Sequence, residues 1–290
     1  MQHQRAGVVA ALSAYLLWGL LTIYWRQLHH FDAFELIGWR ITSASVVMLL
    51  MVAATRRWRT LRPTHWWRVV ACALLLATNW TCYVWAVVHD HVLETALGYF
   101  VSPLLTVVLG VFVLHEHLRK VQTFALMLAV AAVVVLTVAN GAVPWLALAI
   151  AGSWTVYGYL KRNTGLSPVD GMAVESWVLV IPAIVLAVAR SHAAGSIPHS
   201  ATTAQLVLAG LTGVATVVPL LLFAFAAPRV PLTVIGPMLY LVPGINFLLG
   251  WLAFDEVMST ERFVGFALVW TSLVVLFIDS TRQGRSAART

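Results

Sequence analysis

The chain has 290 residues, of which 61% are hydrophobic and only 10% charged, against roughly 45–50% apolar and roughly 25% charged in soluble domains. With a mean hydropathy of +0.87, that composition excludes a soluble globular fold and points to a multi-pass membrane protein. The net charge of +7 does not imply a nucleic-acid partner, because the cations lie in short clusters between apolar runs, where they set topology.

Apolar runs near the ~20 residues that cross a bilayer predict ten helices, at about 7–26, 34–54, 66–88, 93–114, 121–139, 143–160, 171–189, 204–227, 232–254 and 261–279. The first run is too long for a signal-peptide core and leads straight into further spans, so it is expected to remain as a span. It carries Tyr15, Trp18 and Gly19, and ends at Trp25, which reads as an interfacial belt residue together with Trp66 and Trp67. The second run holds Glu35 near its start and Arg40 about two turns in. A charge at that depth either snorkels or pairs structurally, or it handles substrate or protons. In the third run Asn79, Cys82, Tyr83 and Ala86 share one face with Trp80 beside it, and the Asn79 amide needs partners at mid-membrane. Cys72 and Cys82 fall in this same run, so they form neither a disulfide framework nor a CxxC motif.

The fourth run reads LGYFVSPLLTVVLGVFVLHE from Leu97 to Glu116. At about 100° per residue, Tyr99, Ser102, Pro103, Thr106 and Gly110 share one arc, and Leu97, Val101, Leu104, Val108 and Phe112 lie opposite. The first arc is expected to face the bundle interior and the second the lipid. Close helix packing explains Ser102, Thr106, Gly110 and Gly250 as well as a ligand would. The sixth run carries Trp154, Tyr157 and Gly158, and the seventh Glu175, Trp177 and Pro182. In the ninth, the arc equivalent to that of the fourth holds Gly236, Leu239, Pro243, Asn246 and Gly250, with Tyr240 nearby. Pro103 and Pro243 each free a carbonyl one turn back, which makes them candidate hinges.

With the N-terminus inside, the inner loops and tails hold most of the 18 Lys and Arg, among them Arg56, Arg57, Arg59, Arg62, Arg119, Lys120, Lys161 and Arg162. The positive-inside rule therefore predicts that both termini are cytoplasmic. A long-range echo adds geometry: Pro243, Gly250 and Glu256 fall 140 positions after Pro103, Gly110 and Glu116, and Glu175 falls 140 after Glu35. Five spans per half is an odd number, so the second half must cross the membrane inverted. Residues 1–140 and 141–290 are accordingly expected to form two inverted five-helix repeats around a central cavity, a design of secondary transporters.

Motifs for other chemistries are missing. There is no Walker A sequence, GxSxG elbow, Rossmann fingerprint or HExxH. The histidine pairs His89/His91 and His115/His117 fall on opposite sides of the predicted membrane and cannot share one ion. The expectation is therefore no enzyme, no metal and no cofactor.

Several stretches together resemble the RarD family of EamA-type proteins in the drug/metabolite transporter superfamily. They are AYLLWG at Ala14 to Gly19, Glu35-Leu36 followed by Arg40, Asn79-Trp80, Trp85 to Val87, LETALGYFVSPL at Leu93 to Leu104, Glu175 with Pro182, and VPLLLFAFAA at Val218 to Ala227. The resemblance spans essentially the whole chain and implies a ten-helix inner-membrane transporter built of two EamA repeats around a central cavity. Ser102 stands where the family pattern has Asn, and Trp39 where it has His, so substrate identity does not carry across. The expected function is secondary transport of a small drug- or metabolite-like solute, with export favoured and a passive facilitator as the alternative. Trp18, Arg40, Asn79, Trp80, Tyr83, Tyr99, Ser102, Tyr157, Glu175 and Tyr240 are the candidate binding residues. Pro103, Pro243, Glu116 and Glu256 are candidate hinge or gate residues. The expected partners are the solute, the bilayer and protons as a coupling ion, with the chain a monomer or weak homodimer.

Overall fold

The computed structural model describes residues 2–115 and 119–287; Glu116 lies outside them. The regular structure of the described residues is all helical: α1 (Gln2–Arg26), α2 (Ala33–Thr55), α3 (Trp66–Val88), α4 (Val92–Leu114), α5 (Lys120–Asn140), α6 (Trp145–Lys161), α7 (Pro168–Ser191), the short α8 (Ile197–Ser200), α9 (Thr203–Ala226), α10 (Leu232–Met238), α11 (Leu241–Leu248) and α12 (Thr260–Ala287). Among these residues nine segments are long and apolar enough to cross a membrane, counting Val234–Ala253 as one. The remaining predicted span, the sixth, is α6, with 17 residues, at the lower limit of the ~17–25 a span needs.

Local chemistry sets the helix ends. Asp32 caps α2, its side chain accepting from the amides of Phe34 and Glu35 at 3.0 Å each. Ser167 caps α7 with Pro168 in its first turn, and Thr202 and Gln205 form a capping box on α9. α5 stops at Gly141, whose φ of 66° is a left-handed conformation. Pro144 then precedes α6.

The predicted ninth helix is not continuous. Pro237 and Pro243 supply no amide hydrogen, and between them the helix tightens: Leu239 N–H donates to Gly236 O and Tyr240 N–H to Pro237 O, both at 3.2 Å. α10 therefore ends at Met238 and α11 begins at Leu241. Leu249–Ala253 then forms a π-helical turn, at Gly250, where a Cβ would lie 3.1 Å from Leu93 of α4.

Membrane helices associate through close packing rather than hydrophobic exclusion, and glycines mark the closest contacts. A Cβ on Gly38 would lie 2.8 Å from Ala183 O, bringing α2 onto α7, and one on Gly98 2.8 Å from Ala147 O, bringing α4 onto α6. Gly213 of α9 lies against the backbone of Ser43 and Ala44 in α2. The principal packed pairs are α2–α7, α5–α12, α4–α6, α3–α6, α2–α9, α1–α9, α1–α11, α4–α11 and α3–α7. Exchanging α1 to α5 with α6, α7, α9, α10–α11 and α12 maps this set of pairs onto itself.

The two arcs of α4 do not divide as lipid and interior. Leu97, Val101 and Leu104 are buried, in one cluster with Ala125, Ala129 and Ala132 of α5 and Phe266 and Val269 of α12. Phe112 at the far end is exposed, as is Thr106 on the polar arc. Hydropathy cannot separate a lipid-facing stripe from a helix-facing one, because both surroundings are equally apolar.

Candidate functional site

Arg40 does not snorkel. It is 5% exposed, its guanidinium carbon lies 4.1 Å from the Trp80 ring centroid and 5.2 Å from that of Trp25, and its Nε donates to Thr216 Oγ1 at 3.0 Å. Trp25 is therefore not an interfacial belt residue. It is fully buried in the core, where its ring meets the Arg40 guanidinium as a cation–π partner. Trp66 and Trp67, by contrast, are largely exposed.

An aromatic strip leads away from this cation. Tyr83 and Tyr99 have ring centroids 6.2 Å apart, Tyr99 and Trp154 6.3 Å, and Trp154 and Tyr157 5.6 Å. Tyr99 and Tyr157 are only partly buried and Trp154 is exposed, although each lies within a span. Asn79 braces the strip: its Nδ2 donates to Ile150 O at 3.0 Å and to Ser153 Oγ at 3.2 Å, and its Oδ1 accepts from the Tyr99 hydroxyl at 3.0 Å. Every polar atom of that buried amide is thereby engaged, tying α3, α4 and α6 together. The Ser102 hydroxyl donates to Gly98 O of its own helix, and Ser102 O accepts from Thr155 Oγ1 across the α4–α6 contact.

Glu175 closes the other end of the strip. It is fully buried, and its carboxylate accepts from Lys161 Nζ at 2.5 Å and from the Tyr157 hydroxyl at 3.3 Å. Next to it Asp170 takes a two-point contact from Arg57, at 2.8 and 3.1 Å. Lys161 and Glu175 stand on consecutive helices 14 positions apart, a pairing that the loop position assigned to Lys161 concealed.

At the face where α1 ends and α2 begins, a buried polar chain joins four helices. Tyr83 Oη and Thr22 Oγ1 lie 2.7 Å apart, Thr22 Oγ1 donates to Asn246 Oδ1 at 2.8 Å, and Asn246 Nδ2 donates to Thr95 Oγ1 at 3.1 Å. On the same face Glu256 accepts from the amides of Val92 at 2.5 Å and Leu93 at 3.0 Å, capping α4 from across the bundle. Burial pushes its carboxyl above the ordinary carboxylate range, while those two amides pull it down. Glu35 accepts from Ile197 N–H at 3.0 Å and 3.2 Å, and Arg26 pairs with Asp90. Thr22 and Thr95 escape a sequence reading, since a threonine in a span ordinarily bonds its own helix.

The candidate binding residues thus fall into three places. Arg40, Asn79, Trp80, Tyr83, Tyr99, Tyr157 and Glu175 follow one another along the strip, with Ser102 behind it. Trp18 packs instead against Tyr15 and Phe223, with ring centroids 5.6 and 5.9 Å away. Tyr240, at the break between α10 and α11, lies against Phe100 and helps line a groove with Pro237, Trp270, Leu273, Val274 and Phe277. Pro103 lies within continuous α4 and Pro243 in the first turn of α11.

The chain is 37% identical to Protein RarD of Streptomyces exfoliatus, over 98% of this chain and 91% of that one. This chain belongs to the RarD family. RarD proteins of Salmonella typhi and Escherichia coli are 33% and 31% identical, over 96% and 99% of this chain and 97% and 99% of theirs. The EamA-like transporter family matches residues 5–138, and a protein of Vibrio cholerae called an uncharacterized transporter is 33% identical over 99% of this chain and 97% of its own length. A solved crystal structure, 19% identical, superposes with a TM-score of 0.56 over 94% of this chain and 97% of that one, and so shares the overall fold of this chain. This chain is accordingly a multi-pass membrane transport protein and not an enzyme.

Proposed function

We propose that the chain is a secondary carrier for a small organic solute, built of two inverted repeats, residues 1–140 and 141–290, that rock about the aromatic strip. The observation that carries this reading is a symmetric set of principal helix pairs joined to an asymmetric buried polar chain. The principal helix pairs are symmetric under exchange of the halves, yet the buried chain Tyr83–Thr22–Asn246–Thr95 fastens α1, α3, α11 and α4 at one face. α1 and α3 are also in direct contact, whereas their counterparts α6 and α9 are not among the packed pairs of the described residues. A carrier alternates between two such arrangements, each a mirror of the other.

In this reading the locked face is the outer one, both termini lie in the cytoplasm of a bacterium whose inner membrane holds the chain, and the solute leaves the cell along Tyr157, Trp154, Tyr99 and Tyr83. The Lys161 contact makes Glu175 a structural pin between α6 and α7 and disfavours it as a proton carrier. The test is counterflow in proteoliposomes: unlabelled solute trapped inside accelerates uptake of the labelled solute in a carrier, and leaves it unchanged in a passive pore. Glu175→Gln separates the coupling question, because a proton carrier at that position would lose its pH-dependent uptake while a pin would retain it.

A further inference from the structure

Arg40 is a buried cation without an anion. Among the described residues no carboxylate forms an ion pair with it, and the buried acids are committed elsewhere: Glu35 to Ile197 N–H, Asp170 to Arg57, Glu175 to Lys161. Its Nη1 makes no hydrogen bond, and neither does Nε1 of Trp25, the ring that packs on it. Two strong donors carried by touching side chains, both at least nine-tenths buried, are thus left open within a span. An unmatched charge in that setting is costly unless a partner arrives to offset it.

We propose that Arg40 and Trp25 form an anion-recognition site that takes the carboxylate of a planar aromatic acid, with the Trp80 ring and the strip beyond it receiving the apolar body. A carboxylate offers two acceptor oxygens, which suits an open guanidinium N–H and an open indole N–H carried by packed side chains. The rings of Trp80, Tyr83 and Tyr99 supply the flat walls that a conjugated body needs. The absence of an ion-pairing acid beside Arg40 among the described residues discriminates further: a zwitterion would bring an ammonium group to a cation with no carboxylate to receive it, so a net anion is preferred. Because Trp80 covers the guanidinium, the acid reaches it when that ring swings aside. This inference rests on the carrier reading for its biological sense and on the local geometry alone for its chemistry.

The experiment is equilibrium binding, read by tryptophan fluorescence, of the purified protein in phosphatidylcholine nanodiscs, with benzoate, 4-hydroxybenzoate and indole-3-acetate as probes and their neutral amides as matched controls. The expected result is a saturable response to at least one acid, with its amide binding about tenfold or more weakly, as the loss of charge-assisted hydrogen bonds implies. Trp25→Phe keeps the ring over Arg40 and removes one donor, and should weaken the acid about tenfold while the amide is unaffected. Arg40→Gln should abolish the preference for acid over amide. Equal binding of acid and amide, no saturable response to any acid, or an unchanged acid affinity in Trp25→Phe overturns the proposal. Chloride competing as strongly as benzoate, or phosphatidylglycerol discs suppressing acid binding, overturns it too, by assigning the site to an inorganic ion or a lipid headgroup. Counterflow is measured separately: acid binding without counterflow would keep the site and remove the carrier, and counterflow of a neutral solute indifferent to Arg40→Gln would keep the carrier and remove the site.

Discussion

Replacing Lys161 by Met strips the fully buried Glu175 carboxylate of its 2.5 Å ammonium partner and leaves it the Tyr157 hydroxyl at 3.3 Å. Removing one member of a buried ion pair costs about 3–5 kcal/mol, because the remaining charge has lost its hydration and its counterion together. The reciprocal change, Glu175→Gln, is milder. The Lys161 side chain keeps 17% of its exposure and lies in the last turn of α6, where the helix dipole favours a cation, so the loss should be about 1–2 kcal/mol. The double change Lys161→Met with Glu175→Gln removes both charges and should lie within about 2 kcal/mol of the wild type, against about 4–7 kcal/mol for the two single losses added, a coupling of about 2 kcal/mol or more. Unfolding in detergent, followed by tryptophan fluorescence, reads all four proteins; at about 2–4 °C per kcal/mol for large domains, Lys161→Met should melt on the order of 10 °C early. If Lys161→Met melts with the wild type, or if the two single losses simply add, the pair is not a pin and the reasoning fails.

Two further outcomes follow from single positions. Gly213→Ala drives a methyl into the backbone of Ser43 and Ala44, which cannot step aside as a side chain could, so it should cost about 1–3 kcal/mol; Gly210→Ala, one turn earlier with nothing within 4 Å of its Cβ, should stay within about 0.5 kcal/mol, as parallel melts will show. For Glu256, burial holds the folded-state carboxyl above its ordinary range, so the folded chain binds that proton more tightly than the unfolded one. Its contribution is then fully present below the ordinary carboxylate range and is lost as pH rises through the raised value. Melts from pH 4 to 8 should therefore show wild-type stability declining relative to Glu256→Gln, and a difference that is flat or opposite in sign would contradict the burial argument.

Much of the architecture was legible before any coordinates. Span positions came from run length, because a bilayer of fixed thickness imposes ~20 apolar residues per helix, and nearly every predicted boundary lies within a few residues of an observed one. The break at Tyr240 was half legible: Pro243 signalled a kink, but the joint action of Pro237 and the tightened turn between them depends on how the neighbouring helices hold the chain. Arg40, Asn79, Trp80, Tyr83 and Tyr99 stood out as polar or aromatic groups in an apolar setting and do lie together. Trp25 and Lys161 were misread from their distance to the ends of their runs, since depth along a helix says nothing about which way a side chain turns.

What the sequence by itself determined, then, is where the chain forms long apolar helices and where it turns, because those follow from backbone hydrogen bonding in lipid and from turn chemistry, both local. Tertiary structure alone decided which face of α4 meets α5 and α12, that Glu175 answers Lys161, and that Arg40 is left beside Trp25 without an acid. Lipid tails and neighbouring helices are alike in polarity, so composition cannot choose between them. The choice is made by close approach at residues such as Gly38, Gly98 and Gly213, and by which polar atoms happen to find one another once that approach is made.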